Sequence, residues 1–412
     1  MATERVHGRN GGTEGVMRGG DTAGLRAYNE RLIMAALRRQ GALSRAEIAR
    51  ETGLSSQASS VIVSRLIEDG LALKRDKVRG QVGQPSTPIA PNPDGAYSLG
   101  VKIGRHSTEA ILVNLTGEII GSRREEFAAP MPERTQAIVI DQINDLLGLL
   151  DRQARERVVG IGIAIPGEIE AWAVELGLEP GALDGWRRLD IRRALADATG
   201  LAISIHNDAT AACAAEMIAG TAITTRSALY VYLGTFIGGG IVLDGKLYAG
   251  EQGNAGAIGS MPMSSSPEQG SPEQLIHNAS GLHLEHALTK AGFNAQAVLR
   301  DSERVDESTP IFEDWLAAAL PEFARAVVAG LSIIDFQAVV VDGLIPAAWR
   351  DRLAQELEGG LERFNRSGLS PTQVVAGSIG PMARVMGAAL LPMEARFSPD
   401  TDLLVRSGAR GA

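Results

Sequence analysis

Cysteine is nearly absent from this chain of 412 residues: Cys213 stands alone, so no internal disulfide can form. With only six histidines, all dispersed, a Cys-rich structural zinc cluster is excluded as well. Long hydrophobic runs are missing too. The longest apolar stretches, Val158–Pro166 and Leu331–Val341, are interrupted or span half of the roughly 20 residues needed to cross a bilayer. The first residues, Met1–Gly20, are polar and contain no apolar core of a secretion signal. A cytoplasmic protein without a membrane partner is expected. What the chain does have is 44% hydrophobic and 22% charged residues, enough to bury a core and incompatible with wholesale disorder. Its length exceeds one ordinary domain and predicts two or three.

Charge is spread unevenly. Residues 1–90 carry 14 Lys/Arg against 9 Asp/Glu, whereas residues 91–412 carry 26 against 40, so a head of +5 precedes a body of -14 within a net charge of -9. A basic module joined to an acidic one is the pattern of a nucleic-acid-binding head on a different kind of domain, although a basic solvated surface gives the same sum.

The head has its own grammar. Leu32, Ile33, Ala36 and Leu37 follow helical spacing from Asn29, and Gly41 stops the run. Ser44 and Glu47 form a capping box that opens a second short helix, which Gly53 ends. Ser55 or Ser56 then caps a third helix with Ala58, Val61, Ile62 and Leu66 facing inward, up to Asp69-Gly70. Three short helices with a glycine turn before the third predict a helix-turn-helix. A strand at Leu71–Leu73, the cations Lys74, Arg75, Lys77 and Arg79, and a Gly80–Pro85 tip predict a basic wing. The third helix should present Ser55, Ser56, Gln57, Ser59, Ser60 and Arg65 outward, with Gln57 best suited to read a base edge. Ser44 and Arg45 on the second helix, and Gln84 at the wing tip, complete the expected DNA-contacting set. The wing cations would supply attraction to phosphate. A small bundle that only contacts proteins is the alternative.

Four prolines in Pro85–Gly95 predict a stiff linker. Beyond it, Tyr97–Ile103, Ala110–Leu115 and Glu118–Arg124 are predicted strands, followed by a helix over Glu133–Arg155 and an apolar strand at Val158–Ile165. The grammar repeats with strands at Leu229–Leu233, Gly238–Leu243 and Lys246–Tyr248, then Ala338–Val341, a helix over Ala347–Gly359, a strand at Gln373–Ala376 and a helix over Pro381–Leu391. Two related α/β halves imply two lobes and a cleft.

Several segments in this order resemble one family. They are Tyr97-Ser98-Leu99-Gly100-Val101, Gly185-Trp186, His206-Asn207-Asp208-Ala209-Thr210-Ala211-Ala212, Leu233–Gly240, Gly253–Ser260 and the closing Gly380–Ala389. Over about Asn29–Leu391 the chain resembles the ROK family, which groups repressors, open reading frames and sugar kinases within the actin-like ATPase fold. The resemblance implies an α/β two-lobed body preceded by a winged helix-turn-helix, an arrangement that marks the family's transcriptional regulators. Expected boundaries are a tail at 1–22, the winged head at 23–84, the linker at 85–95, the body at 96–396 and a tail at 397–412. Within the body, 96–208 with 381–396 form one lobe and 209–380 the other.

The resemblance also supplies a test for kinase chemistry. Family kinases carry an Asp, two adjacent glycines and a Thr in the first hairpin, and the matching stretch here is Lys102-Ile103-Gly104-Arg105-His106. Lys102 in place of Asp removes a carboxylate needed for metal-assisted transfer, and Arg105 adds bulk where close approach is required. The glycines of 234–240 can cradle phosphate or make a tight hairpin, and Lys102 favours the hairpin. Asp208 matches the family's catalytic base and Asn207 its sugar-binding neighbour. Asp208 can also cap the helix that follows. The family's Glu-x-Gly-His reads Ala257-Ile258-Gly259-Ser260 here, the Asn before Gly-Trp is Ala182, and the zinc cluster has no counterpart in Met261–Ser280. Glu285 matches a further sugar-contacting Glu, while His277, His283 and His286 lack a carboxylate partner for a metal.

The expected effector site is therefore Asn207, Asp208, Ser260 and Glu285, with no catalytic residue, metal or cofactor. The leading expectation is a DNA-binding regulator, a repressor of carbohydrate-related genes, that binds a sugar-like effector and a duplex operator as a homodimer or homotetramer. An ATP-dependent sugar kinase with a DNA-binding head, or a DNA-binding protein with a ligand-blind assembly body, are the alternatives.

Overall fold

The computed structural model describes residues 22–76, 87–167, 169–173, 176–263 and 273–399. Of the expected DNA contacts, Lys77, Arg79 and Gln84 lie outside the described residues, as do most of the two expected tails. The chain divides into two compact units. One contains Glu68 and the described residues before it, those of Lys74–Ala90 and those from Phe397 onward; the other contains Asp69–Leu73 and Pro91–Arg396.

In the first unit, helix α1 runs over Thr22–Gln40, beginning seven residues before the predicted start at Asn29. It buries Ile33, Met34, Ala36 and Leu37. Gly41 ends it at φ +78°, a left-handed conformation that glycine adopts without strain. Helix α2 (Arg45–Thr52) opens with the predicted capping box: the Ser44 hydroxyl accepts the Glu47 N–H at 3.2 Å, and the Ser44 N–H donates to Glu47 Oε2 at 2.7 Å. Helix α3 (Ser56–Glu68) is capped by Ser55, whose hydroxyl accepts the Ala58 N–H at 3.2 Å.

The phase of α3 differs from the expectation. Ser59, Ile62, Val63 and Leu66 are buried, whereas Val61 is 65% exposed and Ala58 is only half-buried. A helix turns about 100° per residue, so once Ile62, Val63 and Leu66 define the inward stripe, position 59 must join it and position 61 must face away. Ser59, expected to face DNA, is therefore a core residue, and its hydroxyl has no hydrogen-bond partner.

Strands β1 (Ala72–Lys74) and β2 (Ile89–Pro91) pair as a two-stranded wing, and Leu43 adds a bridge to Ile89. Within the described part of the stretch read as a linker, Ile89–Pro91 form a strand and Pro93–Gly95 a single 3-10 turn. Proline is tolerated there because β2 needs few of its own N–H groups in so short a ladder.

The second unit carries two five-stranded sheets. The first is built from β3 (Tyr97–Ile103), β4 (Ser107–Asn114) and β5 (Ile119–Glu126), then α4 (Pro132–Leu147), α5 (Arg152–Arg155), β6 (Val158–Ile165), α6 (Ile191–Thr199) and β7 (Ile203–Asn207). The single helix predicted over Glu133–Arg155 is two helices, because α4 stops at Gly148 and Asp151 caps α5 by accepting the Ala154 N–H at 2.8 Å. Helix α7 (Asp208–Ala219) leads to the second sheet, with β8 (Ala228–Leu233), β9 (Ile237–Leu243) and β10 (Lys246–Tyr248). Then come α8 (Leu275–Ala279), α9 (Gly281–Lys290), α10 (Ala295–Leu299), α11 (Val305–Leu331), β11 (Ala338–Gly343), α12 (Ala347–Leu361), β12 (Gln373–Ala376) and α13 (Ala383–Phe397).

The strand orders, β5-β4-β3-β6-β7 and β10-β9-β8-β11-β12, repeat one plan: three antiparallel strands, then two added in parallel beside the first of them. Parallel strands covered on both faces read as continuous apolar runs, which is why Val158–Ile165 and Ala338–Val341 stand out in the sequence. Each sheet packs its own core, one around Leu99, Ile143 and Ile163, the other around Val231, Phe312 and Trp349. Helices α7 and α13 cross so closely that a Cβ on Gly387 would run into the carbonyl of Ala211. That crossing places the N-terminus of α7 and the side chains of α13 beside the ends of β3 and β8.

Candidate functional site

Three neighbouring strands carry a row of charges. Lys102 on β3 stands opposite Glu109 on β4, and Glu109 stands opposite Arg124 on β5. Cross-strand neighbours on one face are in direct contact range. The Lys102 Nζ lies 3.6 Å from Glu109 Oε1 and donates to Ser107 Oγ at 3.3 Å, and Arg124 Nη1 donates to Glu109 Oε1 at 2.6 Å. Arg300, which follows α10 in the other half of the unit, also donates to Glu109. Lys102 and Glu109 are 5% and 6% exposed, so these charges interact with little screening by water.

The electrostatics follow from the imbalance. Burial works against the charge of Glu109, but Lys102 and Arg300 outweigh it and hold its pKa at about 2. For Lys102 burial dominates, Arg384 and Arg300 add to it against the pull of Glu109, and its pKa falls to about 7. The neighbouring cations act in both shifts, lowering Glu109 against its burial and adding to the burial that already lowers Lys102.

Asn207 and Asp208 divide their work differently from the expectation. Asn207 Oδ1 accepts the N–H groups of Ala209 at 3.0 Å and Thr210 at 3.3 Å, so Asn207, not Asp208, caps α7. Asp208 Oδ2 instead accepts from Arg384 Nη1 of α13 at 3.2 Å. The Arg384 guanidinium also lies over the Tyr232 ring, 5.1 Å from its centroid. Burial opposes its charge, yet Tyr232, Asp208 and Glu109 together hold Arg384 above the usual arginine range.

Glu285, on α9, sits 3.5 Å from His106 Nε2 and accepts from Gln296 Nε2 at 3.1 Å. Burial lowers the His106 pKa despite Glu285 beside it. These three, with Arg124, Glu126 and Phe127, line a pocket of about 390 Å³ to which both halves contribute. Its carboxylates, amide and imidazole can exchange hydrogen bonds with hydroxyl groups. Ser260 is exposed at the end of a 3-10 turn, Ile258–Ser260, and does not line this pocket. A larger depression of about 590 Å³ lies against α9 and α11, with His283, Lys290, Ile311, Asp314 and Trp315 in its walls, away from the charged row. His277 is occupied structurally, its Nδ1 accepting the Gln274 N–H at 3.1 Å. The glycines of β9 serve packing: a Cβ on Gly238 would press on Ala209 at 2.8 Å, one on Gly239 on the Gly256 carbonyl at 2.7 Å and one on Gly240 on Cys213 at 2.5 Å.

On α3, Gln57 and Ser56 are exposed and Ser60 is half-buried. Arg45 reaches over from α2, donating to the Ser60 carbonyl at 2.9 Å and to Ser64 Oγ at 3.4 Å. Arg65 pairs with Glu30 at 3.5 Å, and Lys74 and Arg75 are exposed on β1 and just after it. Ser44 and Ser55 are engaged as caps. Reading the sequence missed Glu109, Arg124, Arg300, Arg384, His106 and Gln296. Polar and apolar residues fall in blocks along Ser107–Asn114 and Ile119–Glu126, so no alternation marked Glu109 or Arg124, and Arg300 and Arg384 reach the site only through the chain's return.

Two five-stranded sheets of one plan joined by the α7–α13 crossing, preceded in the chain by a winged helix-turn-helix head, define an actin-like α/β architecture. Residues 98–395 match the ROK family model, and the chain belongs to the ROK family. Residues 26–71 match a winged helix-turn-helix DNA-binding model. Among curated relatives, the xylose repressor of Bacillus subtilis (strain 168) is 26% identical over 241 residues, covering 58% of this chain and 62% of that protein. Among solved structures, a ROK family transcriptional regulator homologous to the E. coli MLC protein aligns with a TM-score of 0.64 at 19% identity, covering 94% of this chain and all of that one. The ROK hexokinase of Thermus thermophilus aligns with a TM-score of 0.52 at 24% identity, covering 71% and 97%. At these identities the two structures establish the fold. Among the described residues, no helix is long and apolar enough to cross a membrane.

Proposed function

We propose that this chain is a transcriptional regulator, a repressor of carbohydrate-related genes. Its winged head, residues 23–84, binds a duplex operator, and its ROK body, residues 96–396, binds a sugar or sugar-derived effector without phosphorylating it. The observation that carries the non-enzymatic reading is Lys102 buried against Glu109. Phosphoryl transfer requires a metal-held polyphosphate and a carboxylate to orient the attacking hydroxyl. At the hairpin position where family kinases place an Asp, this chain puts a cation, and the nearby carboxylate is already occupied by Lys102, Arg124 and Arg300. Asp208, the counterpart of the family's base, is likewise engaged by Arg384.

The helix-turn-helix match and the names of the relatives, a xylose repressor and a regulator homologous to MLC, support the regulatory reading. The pocket lined by Glu285, His106 and Gln296 supports a polyhydroxylated ligand; Asn207, Asp208 and Ser260, the other contacts expected from the resemblance, lie outside its lining. A ligand that binds one state of the body more tightly than another shifts operator affinity by that difference. A homodimer or homotetramer on a roughly palindromic site is the matching assembly.

The test is a coupled ADP-release assay run beside a thermal-shift screen with one panel of sugars and sugar derivatives. No ADP release with any sugar, and a raised melting temperature with at least one, is the expected pair of results. Turnover of ATP overturns the non-enzymatic reading. A silent thermal screen overturns the effector and favours a ligand-blind assembly body.

A further inference from the structure

Helix α3 presents one apolar side chain where every neighbour on the same face is polar. Gln57, Ser60, Val61 and Ser64 are spaced i, i+3, i+4 and i+7 and form one stripe, opposite the buried stripe of Ser59, Ile62, Val63 and Leu66. Val61 is 65% exposed. A single exposed apolar residue is ordinary on a protein surface, so exposure alone decides nothing. Its position is informative. Folding gains nothing from a β-branched residue at an exposed helix position, where it lowers helix propensity. The same branching locks its rotamer, so two methyl groups are held outward on the helix that enters the major groove in helix-turn-helix proteins.

We infer that Val61 reads a base: its isopropyl group packs on the 5-methyl of a thymine in the major groove, with Gln57, one turn earlier, on a neighbouring base edge. The inference rests on the DNA-binding reading of the head. Thymine is the base that offers an apolar group in the major groove, and glutamine pairs in bidentate fashion with adenine N6 and N7, so the two residues together favour adjacent A·T pairs. The remaining residues of the face suit this partner. Arg45 is anchored to the Ser60 carbonyl and Ser64 Oγ at the edge of the stripe, and Lys74 and Arg75 are exposed in the same wing, all cations available to phosphate. A second protein copy would need an apolar patch of several hundred Å², which one valine among serines and a glutamine does not provide.

The experiment uses the full chain. Preferred sites are selected from a randomised duplex library, and each thymine of the best site is then replaced singly by deoxyuridine, which removes only the 5-methyl group. For the native chain, one thymine per half-site is expected to lose about fourfold in affinity on that replacement, the worth of one buried methyl. Val61→Ala, which removes the contact in both half-sites, is expected to bind the unmodified site about as weakly as the native chain binds a site carrying uracil at that position in both half-sites, and to lose sensitivity there while keeping it elsewhere. Because Val61 is exposed and alanine is the better helix former, the melting temperature of the variant should be no lower than that of the native chain, and Gln57→Ala should alter preference at a different base pair. Equal uracil sensitivity in native chain and Val61→Ala overturns the inference alone, as does an oligomeric state that changes with Val61→Ala. Failure to select any sequence overturns the DNA-binding reading itself.

Discussion

Lys102 and Glu109 face each other across β3 and β4 with Nζ 3.6 Å from Oε1, both withdrawn from solvent. The pair is the centre of a charge row rather than an isolated bridge, since Arg124 and Arg300 converge on the same carboxylate. A buried ion pair contributes little by itself, but removing one partner leaves a buried charge uncompensated.

Glu109→Gln should therefore lower the unfolding free energy by about 3 kcal/mol, because three cations lose their common anion. Urea denaturation measures it. The double change Glu109→Gln with Lys102→Met should recover part of the loss, and a single-variant effect under about 0.5 kcal/mol would mean the row carries no net electrostatic weight.

The depressed Lys102 predicts a pH dependence of definite sign. Between its folded pKa of about 7 and the ordinary value of 10.5, the unfolded chain binds more protons than the folded one. Stability due to this group accordingly rises with pH across that window, by at most about 1.4 kcal/mol per unit. Cys213, raised by burial, acts in the opposite direction once pH passes its ordinary 9.0. Melting temperatures compared between the native chain and Lys102→Met from pH 7 to 8.5 should show the native chain gaining on the variant; a constant difference contradicts the assignment.

Ser59 buries a hydroxyl without a partner. Ser59→Ala removes that desolvated group and substitutes a better helix former, so a stabilisation of about 0.5–1 kcal/mol is expected. Destabilisation in a thermal or urea melt would show that the hydroxyl is satisfied in solution.

Lys74 and Arg75 are exposed on the wing and are expected to contact phosphates, not bases. Replacing either by alanine should weaken binding to all duplexes alike and reduce the slope of log affinity against log salt by about 1 for each protomer on the duplex. Fluorescence anisotropy at several salt concentrations reads this, and a change in sequence preference with an unchanged slope would count against it.

Elements whose signals lie within a few residues were legible. The Ser44–Glu47 box, the glycine stops at Gly41 and Gly53, and strands Tyr97–Ile103 and Val158–Ile165 appear where the pattern put them. The misreadings have physical causes. In α3 both Val61 and Ile62 are apolar and both Ser59 and Ser60 are polar, so the stripe could be drawn in either of two phases until the neighbouring helices packed. Over Glu133–Arg155 helical propensity continues past Gly148, and only the cap at Asp151 restarts the backbone.

Local chemistry in the chain decided that there is a capped three-helix head, a pair of glycine-rich α/β halves and a lysine where a kinase of this family needs an acid, because caps, periodicity and residue identity act over a few positions. Tertiary packing alone decided what that lysine touches, since Glu109 meets Arg300 across 191 positions and Asp208 meets Arg384 across 176. Interaction between charges depends on distance and burial, and neither exists until the sheets and the α7–α13 crossing are assembled.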